Sequence, residues 1–372
     1  MDLHKLLTES AHKNGISICG SVDLDLAQRD GIFLEHLGRY DQWLAAGYAA
    51  EMGYLHRGRD RRANPKEVFA ETQSIFCVAV PYSAAPAGAL NIETGPRYAR
   101  YIQGTDYHET ISNRIDKILN DVSAEWNVRN PDKILKWKTA VDSSAILERT
   151  WAYLAGLGWI GKNTLLIHPK YGSFLLIGVA LLNQKTQRGP TPMPSFCGPC
   201  TRCIQGCPTS ALKSLGLDSN NCISYWTLEK RTAFEDSQRQ KTGTWIAGCD
   251  LCQEACPFNW KSMKNQRIVQ NSPTPPDATQ FQVWADLLEE KSQDYRLRVK
   301  NSALSRVKPQ MFSRNLAVTL SHSVPQLDPE TLKRLLPKIQ DRMINETDPI
   351  AKKEWEKCWA ATIGQFADQK SQ

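Results

Sequence analysis

The sequence predicts three modules in series: an α/β first part, a small cysteine-rich centre and an all-helical tail. Three observations predict this. Strand-like and helix-like stretches alternate over residues 1–186, eight of the eleven cysteines crowd between Cys197 and Cys256, and the pattern beyond Asp277 is helical. Spread evenly, the cysteines would put about two in such a window. A length of 372 residues suits two or three domains, at about 150 residues each.

In the first module, 1–186, Ser74–Tyr82, Ile134–Val141 and Ser173–Leu182 are apolar runs bounded by turn residues and read as buried strands. Between them, Thr110–Trp126 and Ala145–Leu157 carry apolar residues at helical spacing, and this alternation defines the α/β class. GPTPMP (Gly189–Pro194) opens the cysteine module, 187–271, and SPTPPD (Ser272–Asp277) closes it. In the tail, 272–372, helices are expected near 278–290, 301–322, 329–345 and 349–366. Asp328-Pro329 and Asp348-Pro349 each place an N-cap before a proline at the first helical position. The short loops between them suggest stacked helical pairs.

Composition is that of a globular protein, 41% apolar and 23% charged, which excludes wholesale disorder and a collagen-like chain. No apolar run reaches the roughly 18 residues of a membrane span. The start, MDLHKLLTESAHKNG, shows neither the apolar core of a signal peptide nor a twin-Arg pair, so a cytoplasmic location is expected.

In a reducing compartment a cysteine cluster reads as metal ligation rather than as disulfides. Cys197-x2-Cys200-x2-Cys203-x3-Cys207-Pro208 is the bacterial-ferredoxin run, in which three cysteines wrap one [4Fe–4S] cube and the fourth turns to the other cluster. The second half, Cys249-x2-Cys252-x3-Cys256-Pro257, lacks its leading cysteine, and Cys222 is the nearby spare thiol. The crossing rule then gives cluster one Cys197, Cys200, Cys203 and Cys256. Cluster two takes Cys207, Cys222, Cys249 and Cys252. A pair of zinc sites is the competing reading, but a third cysteine at the same short interval and two Cys-Pro endings fit zinc poorly. Cys19, Cys77 and Cys358 read as bystanders.

Gly156-Leu-Gly158-Trp-Ile-Gly161 matches a dinucleotide fingerprint, and Gly156 to Lys162 matches part of a phosphate loop. The first should follow a strand rather than a helix, and the second needs Ser or Thr where Asn163 stands. These glycines are expected instead to end a helix and let the backbone approach a flat partner.

Five strings, taken together, carry a family resemblance. They are YIQGTDYHETI (Tyr101–Ile111), VDSSAILERTWAYLAGLGWIGKNTLL (Val141–Leu166), CGPCTRCIQGCPTSAL, NCISYWTLEK (Asn221–Lys230) and GCDLCQEACPFN (Gly248–Asn259). The chain resembles the epoxyqueuosine reductases from about residue 10 to residue 320; the last 50 residues carry no distinctive string. The resemblance implies a cobalamin-dependent oxidoreductase that reduces epoxyqueuosine to queuosine at the wobble position of tRNAs with GUN anticodons (Asp, Asn, His and Tyr acceptors). Two electrons and two protons are used and water is released. It implies a nitroreductase-like α/β module holding base-off cobalamin, a bacterial-ferredoxin-type α+β module with two [4Fe–4S] clusters, and a HEAT-like helical-repeat tail that holds tRNA. An external low-potential electron donor, no membrane and a monomer are expected.

The resemblance places the proton donor at Asp142. A carboxyl that donates near neutral pH needs its pKa raised by apolar burial. An Asp before Ser-Ser and a helix is also a good N-cap, so that role stays open. Asp106-Tyr107-His108 begins like the D-x-H of base-on cobalamin proteins, but Ile111 stands where that motif has Gly. Asp142, Arg62, Tyr107, His108, Lys162 and Asn163 are candidate cobalamin contacts from the α/β half, with Ser224 and Asp250 from the cysteine module. The net charge is +7. Residues 291–315 hold seven basic residues against Asp294 alone, a net of +6. Lys230, Arg298, Lys300, Arg306 and Arg314 are the candidate tRNA contacts. A basic helix face that is merely solvated competes with that assignment. Two other functions compete overall: a reductive dehalogenase-like corrinoid enzyme, and an iron–sulfur electron carrier or nucleic-acid-binding protein without corrinoid.

Overall fold

Four antiparallel strands organise the first half of the chain in the computed structural model, which describes residues 2–82, 95–260 and 279–371. Their order is Ile18–Asp23, Ser74–Pro81, Leu175–Leu182, Trp137–Ala140. Cys77 pairs with Gly20 on one side and Val179 on the other, and Val179 pairs with Ala140. Three of these strands lie within the three predicted runs. The first, Ile18–Asp23, is too short and mixed in sequence to stand out. Alternation revealed the elements but not strand direction, and the antiparallel pairing departs from the parallel sheet usual in α/β proteins.

Helix Tyr107–Arg129 forms because Ile111, Ile115, Ile118, Leu119, Val122 and Trp126 make one apolar face, all buried. Helix Leu3–Lys13, capped by the Asp2 side chain on the Lys5 N–H, packs against it. Helix Glu148–Leu154 lies on the strands Ser74–Pro81 and Leu175–Leu182. Its Trp151 is fully buried against Phe33, ring centroids 4.7 Å apart; burial of a large apolar side chain is worth about 1.5–3 kcal/mol.

The chain folds as two compact units. The first comprises Met1–Tyr82, Tyr107–Ser219 and Leu251–Gln266. The second comprises Ser83–Asp106, Asn220–Asp250 and Arg267–Gln372. The cysteine-rich stretch thus contributes to both. The predicted breaker Ser272–Asp277 lies outside the described residues.

The second unit is mostly helical: Gln280–Glu289, Ser292–Val299, Pro309–Ser323, Pro329–Asn345 and Pro349–Ser371. Pro309–Ser323 and Pro329–Asn345 both pack on the last helix. Trp284, Phe312, Leu316, Leu335, Ile339 and Trp355 share its core. Both predicted caps form: Asp328 accepts from the Thr331 N–H at 2.8 Å and Asp348 from the Ala351 N–H at 2.9 Å. The expected 301–322 helix is instead a 3-10 turn, Ala303–Arg306, and a helix that starts at Pro309. Proline at the first helical position sets that start.

Candidate active site

Asp142 stands two residues past the strand Trp137–Ala140, in a loop with φ +51°. A non-glycine residue in that region is strained, at roughly 1–3 kcal/mol, and needs outside support. The Asp142 N–H donates to Glu148 Oε1 at 2.8 Å, and Tyr107, the first residue of its helix, donates its hydroxyl to Asp142 Oδ2. Tyr107 in turn stacks on His108, ring centroids 4.1 Å apart. Asp142 is not a helix cap, since the helix begins at Glu148 with Leu147 in the cap position.

One expectation is corrected here. Asp142 itself is exposed rather than buried in apolar surroundings. The buried carboxyl is Glu148, whose proton affinity is driven well above the ordinary range by burial and then by neighbouring Asp142. Glu148 lies inside the Val141–Leu166 string, where the sequence by itself assigns it no role. An acidic residue at an inward position of an apolar helix was the signal.

Six candidates fall in the first unit: Asp142, Arg62, Tyr107, His108, Lys162 and Asn163. A Cβ on Gly58 would stand 2.2 Å from Arg62 Nη1 and 3.3 Å from Ala145 Cβ, so the turn that carries Arg62 packs on the Asp142 loop. Arg62 Nη1 and Asn163 Nδ2 are buried with no acceptor among the described residues. Buried donors left open cost about 1–3 kcal/mol each.

Lys162 and Asn163 sit at the tip of the hairpin Trp159–Ile160/Leu166–Ile167. Lys162 Nζ donates to the carbonyls of Gly198 at 2.7 Å and Cys200 at 3.0 Å, so it braces the first cysteine loop. The glycines before the hairpin have roles within the chain itself. Gly156, with φ +81°, ends the helix, and a Cβ on Gly158 would meet the Ile167 carbonyl at 2.3 Å.

Trp159 on this hairpin packs edge-on against Phe196 and Phe258, which flank the cysteine turns, at 5.1 and 4.8 Å. Cys197 and Cys256 join the same apolar cluster. Burial, then the Cys197 and Cys256 thiols, pushes Cys203 up; burial again dominates at Cys256, where Cys197 and Cys200 also contribute. The four thiols assigned to cluster one are therefore neighbours in one unit. Among the described residues no group of His, Cys, Asp or Glu is arranged to hold a single metal ion. Asn259, fully buried, pins the Cys256 turn by accepting from the Ser173 N–H at 2.6 Å and donating to the Gln253 carbonyl at 2.7 Å.

Of the other four cysteines, Cys207 and Cys252 belong to the first unit and Cys222 and Cys249 to the second. Although burial opposes it, hydrogen bonds from Thr209 and the Ala211 N–H hold the Cys207 thiol below its usual range. Burial pushes the Cys19 and Cys358 thiols up to about 11, and raises Cys77 too.

In the second unit Ser224 follows Cys222 on the helix Ile223–Leu228. Asp250 is corrected from a cofactor contact to an internal anchor. It is 1% exposed, accepts from the Arg100 N–H at 2.7 Å and lies 3.8 Å from Arg100 Nε. Arg314 is corrected likewise. It is 1% exposed and donates to the carbonyls of Trp226, Lys230 and Thr232, so no phosphate can reach it. Arg298 pairs with Glu290 at 2.6 Å and Arg306 with Glu229, while Lys300 is exposed. Lys230 is half-buried, with its carbonyl taken by Arg314.

Thiols grouped at ferredoxin spacing mark the chain as an iron–sulfur protein. Residues 196–259 match the "4Fe-4S double cluster binding domain" and residues 62–143 match "Epoxyqueuosine reductase QueG, DUF1730". The chain is 33% identical over 295 residues to an epoxyqueuosine reductase of Synechococcus sp. (strain CC9605), covering 77% of this chain and 85% of that one. It belongs to the epoxyqueuosine reductase family. The solved epoxyqueuosine reductase from Streptococcus thermophilus shares its fold, with TM-score 0.72, 23% identity and coverage of 97% and 99% of the two chains. An epoxyqueuosine reductase crystallised with a tRNA-Tyr epoxyqueuosine-modified stem loop matches at TM-score 0.70, 22% identity and the same coverage. Among the described residues no helix is long and apolar enough to cross a membrane.

Proposed function

We propose that this chain is an oxidoreductase that reduces epoxyqueuosine to queuosine at the wobble position of tRNAs with GUN anticodons. Family membership supports the reaction, and the Asp142 constellation is the observation that carries its chemistry. Opening the epoxide C–O bond leaves an alkoxide, which Asp142 would protonate. The Tyr107 hydroxyl fixes its carboxyl, and exposure of Asp142 leaves room for a macromolecular substrate.

Cys197, Cys200, Cys203 and Cys256 would hold one [4Fe–4S] cluster, and Cys207, Cys222, Cys249 and Cys252 the other. The open donors Arg62 Nη1 and Asn163 Nδ2 fit the amide and phosphate acceptors of cobalamin. With them, His108 and Ser224 are the proposed contacts. Bound base-off, cobalamin would supply the two-electron centre that the clusters feed. Lys300, Lys230 and the outer faces of Arg298 and Arg306 would meet tRNA phosphates. Three modules in the sequence order, a monomer, a cytoplasmic location and an external low-potential donor complete the proposal.

The test is anaerobic incubation of the cluster-loaded protein with cobalamin, dithionite and epoxyqueuosine-containing tRNA, followed by nucleoside analysis. Queuosine is the expected product. Its absence with both clusters loaded overturns the proposal.

A further inference from the structure

We propose that Glu148 is the positioning residue of the Asp142 loop: a buried side chain that accepts the Asp142 N–H and so fixes the direction of the Asp142 carboxyl. The inference rests on the reading of Asp142 as proton donor.

Three features of the structure converge on it. Asp142 occupies the left-handed region without being glycine, so its backbone must be stabilised by a specific partner. The Asp142 N–H donates to Glu148 Oε1 at 2.8 Å. Glu148 itself is only 8% exposed, on a helix packed against two central strands, so the support is rigid. The Tyr107 hydroxyl bonds the carboxyl from the other side, and Asp142 is therefore gripped at its backbone and at its side chain by different elements.

The charge state of Glu148 matters to this role. The titratable and charged groups facing it are Asp142, Arg149 and Cys77. Burial and the adjacent Asp142 both favour its protonated form. A neutral Glu148 can accept the Asp142 N–H on one oxygen and donate from the other towards the Asp142 side chain. It does so without setting two negative charges against each other. Glutamine reproduces that pattern, with an oxygen to accept and an amide to donate. Leucine matches the volume and offers neither.

The experiment compares wild type, Glu148→Gln and Glu148→Leu, each with clusters and cobalamin loaded. Expected are a fall in kcat of roughly a hundredfold for Leu, as misplaced catalytic groups typically cost, near-wild-type kcat for Gln, and KM for tRNA unchanged in both. Amide hydrogen exchange of the Asp142 peptide, read without substrate, should be slow in wild type and Gln and fast in Leu. An infrared band of a protonated carboxylic acid at neutral pH should be present in wild type and missing in Gln, a comparison that stands even if the Leu variant does not fold. Wild-type kcat in a folded Leu variant, a Gln variant as slow as Leu, slow exchange in Leu, or no protonated-acid band would each overturn the inference. If wild type makes no queuosine while exchange and infrared behave as stated, the proposed reaction fails and the positioning role stands.

Discussion

Tyr107 and Asp142 are joined by a hydrogen bond from the phenol hydroxyl to Oδ2, bridging the first residue of a long helix and a strained loop. Tyr107 is itself buried and stacked on His108, so the phenol is fixed before substrate arrives. Preorganisation of this kind removes a reorganisation cost from the reacting complex.

Asp142→Asn should abolish queuosine formation while tRNA and cobalamin still bind, because the amide retains the shape and cannot serve as the acid. Tyr107→Phe should lower kcat about tenfold, in line with loss of one hydrogen bond worth about 1 to 1.5 kcal/mol. Single-turnover nucleoside analysis checks both. Full activity in Asp142→Asn would remove the general-acid assignment.

Lys162→Met removes the ammonium that braces the Gly198 and Cys200 carbonyls. Cluster potentials follow nearby charge and hydrogen bonding. The potential of cluster one should therefore become more negative, with its cysteine loop more mobile. Electron-paramagnetic-resonance redox titration reads the shift; an unchanged potential would mean the lysine charge is fully screened.

The basic stretch separates into two behaviours. Lys300→Glu should weaken tRNA binding and reduce the slope of log K against log salt by about one. Arg314→Ala should lower the melting temperature by several degrees, because three buried carbonyls lose their donor. Its salt slope should stay at the wild-type value. A changed slope in Arg314→Ala would contradict its burial.

Stability should depend on pH through Glu148. Its folded pKa is raised by burial and by Asp142, so the folded protein binds the proton more tightly than the unfolded chain. The contribution is fully present below the ordinary glutamate pKa, about 4.3, and is lost as pH rises through the folded value. Relative to wild type, Glu148→Gln should therefore gain stability as pH is raised from acid to alkaline, measured by urea melts. A constant difference across the range would show that folding leaves the proton affinity of Glu148 unchanged.

Much of the fold was legible locally. The runs at Ser74 and Ser173 read as buried strands because central strands are apolar on both faces. The caps at Asp328 and Asp348 were legible because a proline fixes the first turn. The strand Ile18–Asp23 and the helix Ser292–Val299 were not, since each is short and makes sense only against its neighbours. The basic residues of 291–315 looked alike in sequence. Burial and pairing divided them: Arg314 was drawn inward to three carbonyls, Arg298 and Arg306 to glutamates, and Lys300 was left to solvent.

By itself the sequence determined the chemistry on offer: the spacing of eight cysteines, the family strings and the aspartate that follows a strand. Those are properties of neighbouring residues, written in order along the chain. Tertiary structure alone decided which groups cooperate. It set Glu148 and Tyr107 around Asp142, brought Lys162 to the carbonyls of the first cysteine loop, left Arg62 and Asn163 with open donors, and withdrew Asp250 and Arg314 into the interior. The physical reason is that burial and hydrogen-bond pairing depend on distances between residues far apart in sequence, and only folding fixes those.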